Sequence, residues 1–344
     1  KIVSWDEEGL VFFNTWMFRK LRIDPKAFDM VERFFAWGDQ QKAAICEEYT
    51  EYENKITLCG NPRFDFLRPE LRRFYKPKVE ALENRFGKIL LVNTNFAFFN
   101  HFKSQEELQQ MLSHYPLADE PGYLDGWIEM HRVAHHAFLE MVPKLIDRYP
   151  HHTIVVRPHP SENHKPWLKL AEAHPRLHID STGNVHEWIL ASEVVIHFNC
   201  TTAVESYLLG VTPIAYRPQQ FPNYENELPN ALSLNAHSLN EVYKAIDCRN
   251  NESQRDTLWN ENLNDYLKKY IISQSGQNSA ERISEELLIL VRETNQVTFS
   301  LWKKVETELK RRWRILLHAL RGYLHPSDGY VEQKFPGIDA SEIE

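Results

Sequence analysis

Cysteine is scarce and scattered. Cys46, Cys59, Cys200 and Cys248 are the only four in 344 residues. With no CxxC pair among them, a disulfide framework is set aside in favour of reduced thiols in a cytosolic protein. No apolar run approaches the roughly 18–20 residues that cross a bilayer. Positive charge is not in excess: 40 Lys and Arg against 48 Asp and Glu give a net charge of −8, which argues against general nucleic-acid binding. Neither GxGxxG nor GxxxxGK[ST] occurs, so a dinucleotide oxidoreductase and a P-loop NTPase are set aside. There is no Asp-x-Asp to hold a divalent metal against a diphosphate, no internal repeat and no low-complexity tract. No signal peptide is visible. The chain opens on Lys1 within a strand-like KIVSW, so a missing amino-terminal piece is expected.

What is present is a soluble α/β pattern. Hydrophobic residues make up 42% and charged residues 26%, enough to bury the cores of two domains. Strand-like KIVSW, a strand at the end of FDMVERFFAWG and strand-like KITLC alternate with helical pieces up to residue 86. The charged, helical RPELRRFYKPKVEALENRFG reads as a connector. A second series follows, with strands KILLVNTNF, HTIVVRPHP, LHID, EVVIHFN and TPIAYRP between helical segments. Strands alternating with helices of about ten residues imply βαβ crossovers and parallel sheets. The expected architecture is two facing Rossmann-like domains: a partial one over 1–86 with its connector, and a second over 87–296. A basic amphipathic helix and tail then fill 297–344. In such sheets ligands bind beyond the carboxyl ends of the strands, which draws attention to the loops 93–101, 157–164, 181–186, 199–202 and 217–224.

These loops carry the candidate chemistry. Arg157 and His159, braced by Pro158 and Pro160, offer a guanidinium fork and an imidazole to an anion; the bland alternative is a stiff turn in which Arg157 pairs with Glu162. Asn199, Cys200 and Thr201 supply N-cap chemistry for a helix whose Thr201, Thr202 and amide groups form an anion site. Glu205 shares a face with Thr201 and suits ribose hydroxyls; the alternative is an ordinary capped helix. Asp6, Glu7 and Glu8 follow the first strand, and three adjacent carboxylates favour one acting as general acid or base, against a solvated acidic turn. Asn93, Asn95 and His101, with Asn100, are polar groups among aromatics that suit a sugar. His131 and His135 share a helix face but lack an HExxH glutamate, and structural histidines are preferred to zinc ligands. Residues 297–324 hold seven Lys or Arg against two Glu, a pattern for an anionic membrane surface or for a long terminal helix with a solvated basic side.

SWDEEGL at 4–10, GNPRFD at 60–65, VNTNF at 92–96, RPHPSE at 157–162 and CTTAVESYLLGVTPIAYRP at 200–218 together resemble the surface carbohydrate biosynthesis proteins of bacteria. These look like glycosyltransferases of the two-Rossmann, GT-B type. RPHP followed by the Thr-Thr-x-x-Glu helix is also similar to the CMP-sugar site of bacterial Kdo transferases and sialyltransferases. The resemblance covers about residues 1–290. It implies that His159 and Pro160 hold the donor phosphate, with Thr201 and Thr202 at the same phosphate and Glu205 at the ribose. The catalytic carboxylate would be Asp6, Glu7 or Glu8. The implied reaction is metal-independent transfer of a sugar from a nucleotide donor, CMP-Kdo favoured, to a surface polysaccharide or lipopolysaccharide acceptor. It needs no cofactor and is placed in the cytoplasm, with peripheral membrane contact through 297–324. The alternatives are a UDP-sugar epimerase, a CDP-glycerol-type phosphotransferase, or a non-catalytic GT-B-like scaffold of polysaccharide assembly.

Overall fold

A computed structural model describes residues 1–293 apart from 12, 250, 252 and 254–256, together with 305–306 and 308–313. The first half contains β1 (Val3–Trp5), α1 (Thr15–Arg22), α2 (Pro25–Met30), β2 (Arg33–Ala36), α3 (Asp39–Cys46), β3 (Ile56–Leu58), α4 (Pro62–Asp65) and α5 (Lys76–Phe86). Then come β4 (Lys88–Asn93), α6 (Gln105–Ser113), α7 (Tyr123–Arg148), β5 (His152–Arg157), α8 (Lys165–Glu172), β6 (Leu177–Ile179), α9 (Val185–Leu190) and β7 (Ser192–His197). The series continues with α10 (Thr202–Leu209), β8 (Thr212–Tyr216), α11 (Glu227–Ala231), β9 (Leu234–Ala236), α12 (Leu239–Asp247), α13 (Glu261–Tyr270) and α14 (Ser279–Arg292).

The expected α/β class with two parallel sheets is what the structure has. β1, β2 and β3 pair in sequence order as one parallel sheet; the second sheet runs β6-β5-β4-β7-β8-β9 and is parallel throughout. Strand alternation divides the second sheet's side chains between two faces. Ile89, Leu91, Val155 and Val195 pack in one buried cluster with Val204 and Tyr207 of α10 and Ile189 of α9. Leu90, Val92, Ile154 and Val194 pack on the other side with Phe138 and Leu145 of α7 and Ile246 of α12. Buried on both faces, these strands read as unbroken apolar runs. The first cluster also contains Phe34, Trp37 and Ile45, so the core of the three-stranded sheet continues into one face of the other.

Residues 1–285 form one compact unit. Of the expected basic helix, 305–306 and 308–313 are described and helical. There Val305, Leu309 and Trp313 are exposed and Glu308 pairs with Arg311 and Arg312. The rest of that expectation lies outside the described residues. Among the described residues no helix is long and apolar enough to cross a membrane.

Candidate functional site

The strand order locates the site. The chain lays β5 and β6 to one side of β4, then returns to place β7, β8 and β9 on the other. This is the 3-2-1-4-5-6 order of a doubly wound sheet, whose ligand crevice lies where the order reverses, here beyond the carboxyl ends of β4 and β7. Asn93 is the last residue of β4 and sits in register between Arg157 of β5 and His197 of β7. It follows Ile89 and Leu91 on the face that packs with Val204 and Tyr207 of α10, so its side chain lies on that face of the sheet. Asn93 is 4% exposed, and neither its Oδ1 nor its Nδ2 has a hydrogen-bond partner among the described residues. A buried amide without partners is costly and rare, which marks this position.

The loop from β7 into α10 is held from beneath. His197 is fully buried, bonds Ser233 Oγ through Nε2 at 2.8 Å, and accepts from the Cys200 amide on Nδ1 at 3.4 Å. Burial first, then Arg217, brings its pKa down to about 3, so it is neutral. Asn199 lies in the left-handed region (φ 47°), and its Oδ1 accepts from Asn230 Nδ2 at 2.7 Å. That bond and its burial compensate a conformation disfavoured for most residues. α10 then opens with Thr201 at the cap making no capping hydrogen bond, while the Thr202 hydroxyl donates to Cys200 Sγ at 3.0 Å. No side chain caps this helix start; Ala203 N and Val204 N donate instead to the carbonyls of Cys200 and Thr201 at 3.1 and 2.9 Å.

Two expectations about the donor-binding residues are corrected. Arg157 does not offer its fork to the crevice. Its Nη atoms donate to the carbonyls of Asp180, Ser181, Thr182 and Gly183 at 2.8–3.3 Å, over the Trp188 ring. Burial brings its pKa down to about 10, against the pull of Asp180 and Glu187. Arg157 is the clamp of the 180–183 loop. Replacing it by Ala should cost about 2–3 kcal/mol in a denaturant titration. Its partner is also not Glu162, which is fully buried and accepts on Oε1 from Thr94 Oγ1 (2.7 Å), Phe96 N (3.0 Å) and His159 N (3.1 Å). Glu162 thus stitches the loop after β4 to the loop after β5. His159 and Pro160 stand on that stitch; His159 is exposed and its Nδ1 accepts from Ser161 N at 3.1 Å, which places the neutral ring's proton on Nε2. His101, expected at a sugar, is buried and its Nδ1 accepts from Lys103 N at 3.0 Å, and it is bridged to Glu162 through the backbone. Asn95 remains half-buried in the same loop.

The second correction is Glu205. It is 1% exposed and pairs with Arg63 Nη2, with His186 Nε2 at 3.6 Å. Burial pushes its carboxyl up, but His186 and Arg63 hold it below the usual range overall. His186 in turn meets the Tyr75 hydroxyl through Nδ1 at 2.9 Å. Covered in this way, Glu205 cannot accept the hydroxyls of a ribose; it ties α10 to the loop after β3. That loop is GNPRFD, and each residue has a task. Gly60 (φ +77°) makes the turn where a Cβ would fall 3.0 Å from the Ile272 carbonyl. Asn61 caps α4 by accepting from Arg63 N at 2.9 Å, and Pro62 starts it. Phe64 enters the core. The buried Asp65 accepts from the amides of Ser279 and Ala280 at 2.9 and 3.0 Å, capping the helix that returns to this half of the chain.

Of the acidic trio, Glu7 and Glu8 are exposed and paired, to Trp5 and to Arg22. Asp6 is the enclosed one. Its Oδ1 accepts from Glu8 N at 2.9 Å, its carbonyl accepts from Trp37 Nε1 at 2.5 Å, and Oδ2 has no partner among the described residues. Burial raises its pKa against the opposing charge of Arg22. The charges of Glu7 and Glu8 also act on Arg63.

Reading by motif missed a cavity of about 440 Å³ lined by Phe13, Arg217, Glu225, Glu227, Asn230 and Asn235, with Pro222 and Ala231. Arg217 pairs with Glu225 and donates to Asn235 Oδ1 at 2.8 Å. The signal for it was the polar run after TPIAY, but Phe13 arrives from sequence far away. His131 and His135 are buried against Phe96, and burial lowers their pKa values to about 3 and about 4. Among the described residues no three metal-ligating side chains gather.

No family model and no curated protein matches the chain. Among solved structures it is similar to the UDP-GlcNAc 2-epimerase of Methanocaldococcus jannaschii in complex with UDP-GlcNAc and UDP, at 16% identity and a TM-score of 0.47, over 76% of this chain and 62% of that one. It is also similar to the wall teichoic acid polymerase TagF, at 11% identity and a TM-score of 0.47, over 79% of this chain and 61% of that one. The chain thus spans about six-tenths of the length of these structures. Likeness at this level carries no statement about activity.

Proposed function

We propose that the chain is a nucleotide-sugar-dependent enzyme of the GT-B type that acts in the synthesis of a bacterial surface glycan. As a glycosyltransferase it takes its sugar from a CMP-linked donor of the Kdo class. The observation that carries the reading is Asn93, buried and unpartnered at the point where strand order reverses and on the sheet face that packs with α10. A helix start of this kind favours a phosphate, and Thr201, Thr202 and the exposed His159 are the side chains to meet it. The adjoining cavity has the size of a ligand pocket, and its aromatic, carboxylate and amide groups suit a nucleoside or sugar. Across the crevice Asp6, with a raised pKa, is the candidate general acid or base, in preference to Glu7 and Glu8. The acceptor is a glycan or lipid-linked glycan on the cytoplasmic face of the membrane, which 297–324 contacts peripherally.

The test is a thermal-shift panel of CMP, CDP, UDP and their sugars. The nucleotide used by the protein should raise the melting temperature by several degrees at a hundredfold excess over its Kd, equivalent to about 2.7 kcal/mol. Response to CMP supports the Kdo class. Response to UDP alone favours an epimerase, and to CDP alone a phosphotransferase. If none responds, the nucleotide reading fails and the scaffold reading replaces it.

A further inference from the structure

With Arg157 committed to carbonyls, the anion site at α10 needs a cation from elsewhere, and the strongest unassigned group beside it is Arg63. We propose that Arg63 binds the ligand's phosphate together with Asn93 and the start of α10, so that one anion is held from both halves of the chain. This inference rests on the nucleotide reading above and assigns that site a residue from the opposite side of the crevice.

The geometry supplies the argument. Arg63 is fixed at the beginning of α4 by the Asn61 cap, and its side chain reaches Glu205, one turn into α10. The two partners differ in exposure: the Arg63 side chain is 49% exposed and that of Glu205 is 1% exposed. The guanidinium therefore lies as a lid over a buried carboxylate, with its other edge towards solvent. A guanidinium has five N–H donors in a fixed plane, and among the described residues Glu205 is the hydrogen-bond partner of one nitrogen, Nη2. The fork can hold the carboxylate and a phosphate oxygen at once. Glu205 then acts as a positioning residue, kept ionised by Arg63 and His186. Asn93 is the independent sign of a ligand here: it is nine-tenths buried, unpartnered at both amide atoms, and on the α10 face of β4. Because Arg63 comes from the GNPRFD loop and Asn93 with α10 from the second sheet, ligand binding tightens the contact between the two halves.

Calorimetry of CMP, CDP and UDP binding to the full chain tests this at two salt concentrations. In R63Q the nucleotide that binds wild type should bind about tenfold to a hundredfold more weakly, the loss of a hydrogen bond from a charged donor. The salt dependence of its binding should also become shallower; a merely structural Arg63 would leave that dependence unchanged. Should R63Q not fold, R63K keeps a charge beside Glu205 but not the fork, and about threefold to tenfold weaker binding is expected. Wild-type binding with unchanged affinity in the folded variant overturns the role of Arg63 alone. Absence of binding by wild type overturns the nucleotide reading, and this inference with it.

Discussion

Glu162→Ala should be among the most damaging single changes in this chain, costing about 3 kcal/mol or more. The carboxylate is fully buried, and one of its oxygens receives the Thr94 hydroxyl and the amides of Phe96 and His159. Phe96 is itself fully buried, so its amide has no route to water when the acceptor is removed. Each orphaned donor costs about 1–3 kcal/mol, to which a cavity is added. The same deletion releases the loop after β4 from the loop after β5, so nucleotide binding should fall with stability. Glu162→Gln keeps an acceptor oxygen in place and should lose about 1 kcal/mol or less at neutral pH. The pH dependence has a definite sign. Burial raises the folded carboxyl above its ordinary value despite the hydrogen bonds it accepts. Its contribution to stability is therefore complete below the unfolded value of about 4.3 and declines as pH rises through the folded value. Stability measured by denaturant titration should accordingly shift in favour of E162Q over wild type as pH rises above the unfolded value. An E162A protein within 1 kcal/mol of wild type would show that the two loops do not depend on this stitch.

How far the sequence reaches is clear from particular residues. Strands such as Ile154–Val156 and Val194–Ile196 were legible because burial on both faces leaves an unbroken apolar run. β9, with Leu234 half-buried and Asn235 exposed, carries no such run and was not read. The loops after β4, β5 and β7 were found from strand ends alone, and Asn93, His159, Thr201 and Thr202 stand there. Arg157 was misread because a strand-end cation has the same local pattern whether it meets a ligand or four carbonyls of a loop 23–26 residues on. Glu205 was misread for a related reason. Its spacing from Thr201 is correct for one helix face, but Arg63, 142 residues away in sequence, decides what that face meets. GNPRFD was visible as a motif, yet its Asp65 bonds to the amides at 279 and 280 could not be inferred from spacing, since they close a loop of more than 200 residues.

The same contrast between local pattern and long-range partner makes Asn93 the most informative position to change. Asn93→Leu replaces the buried amide with an apolar side chain of the same branching and heavy-atom count, removing two unpartnered polar atoms from a strand end whose neighbours Leu91 and Val92 are fully buried. On packing grounds the variant should be more stable than wild type by about 1–2 kcal/mol, since the cost of burying an unsatisfied amide disappears. On functional grounds, if the proposed reading holds, it should bind nucleotide at least tenfold more weakly, because the amide is the unpartnered polar group on the α10 face at the strand-order reversal. A substitution that raises the midpoint of denaturation while lowering affinity is what a strained binding position gives. Structural polar groups behave otherwise and lose stability when removed. Denaturant titration and calorimetry on the same sample separate the two. Lower stability with unchanged affinity would assign Asn93 to the scaffold and move the ligand away from the point where strand order reverses. Higher stability with lost affinity fixes the ligand there, between the loops that Glu162 joins and opposite the carboxylate of Asp6.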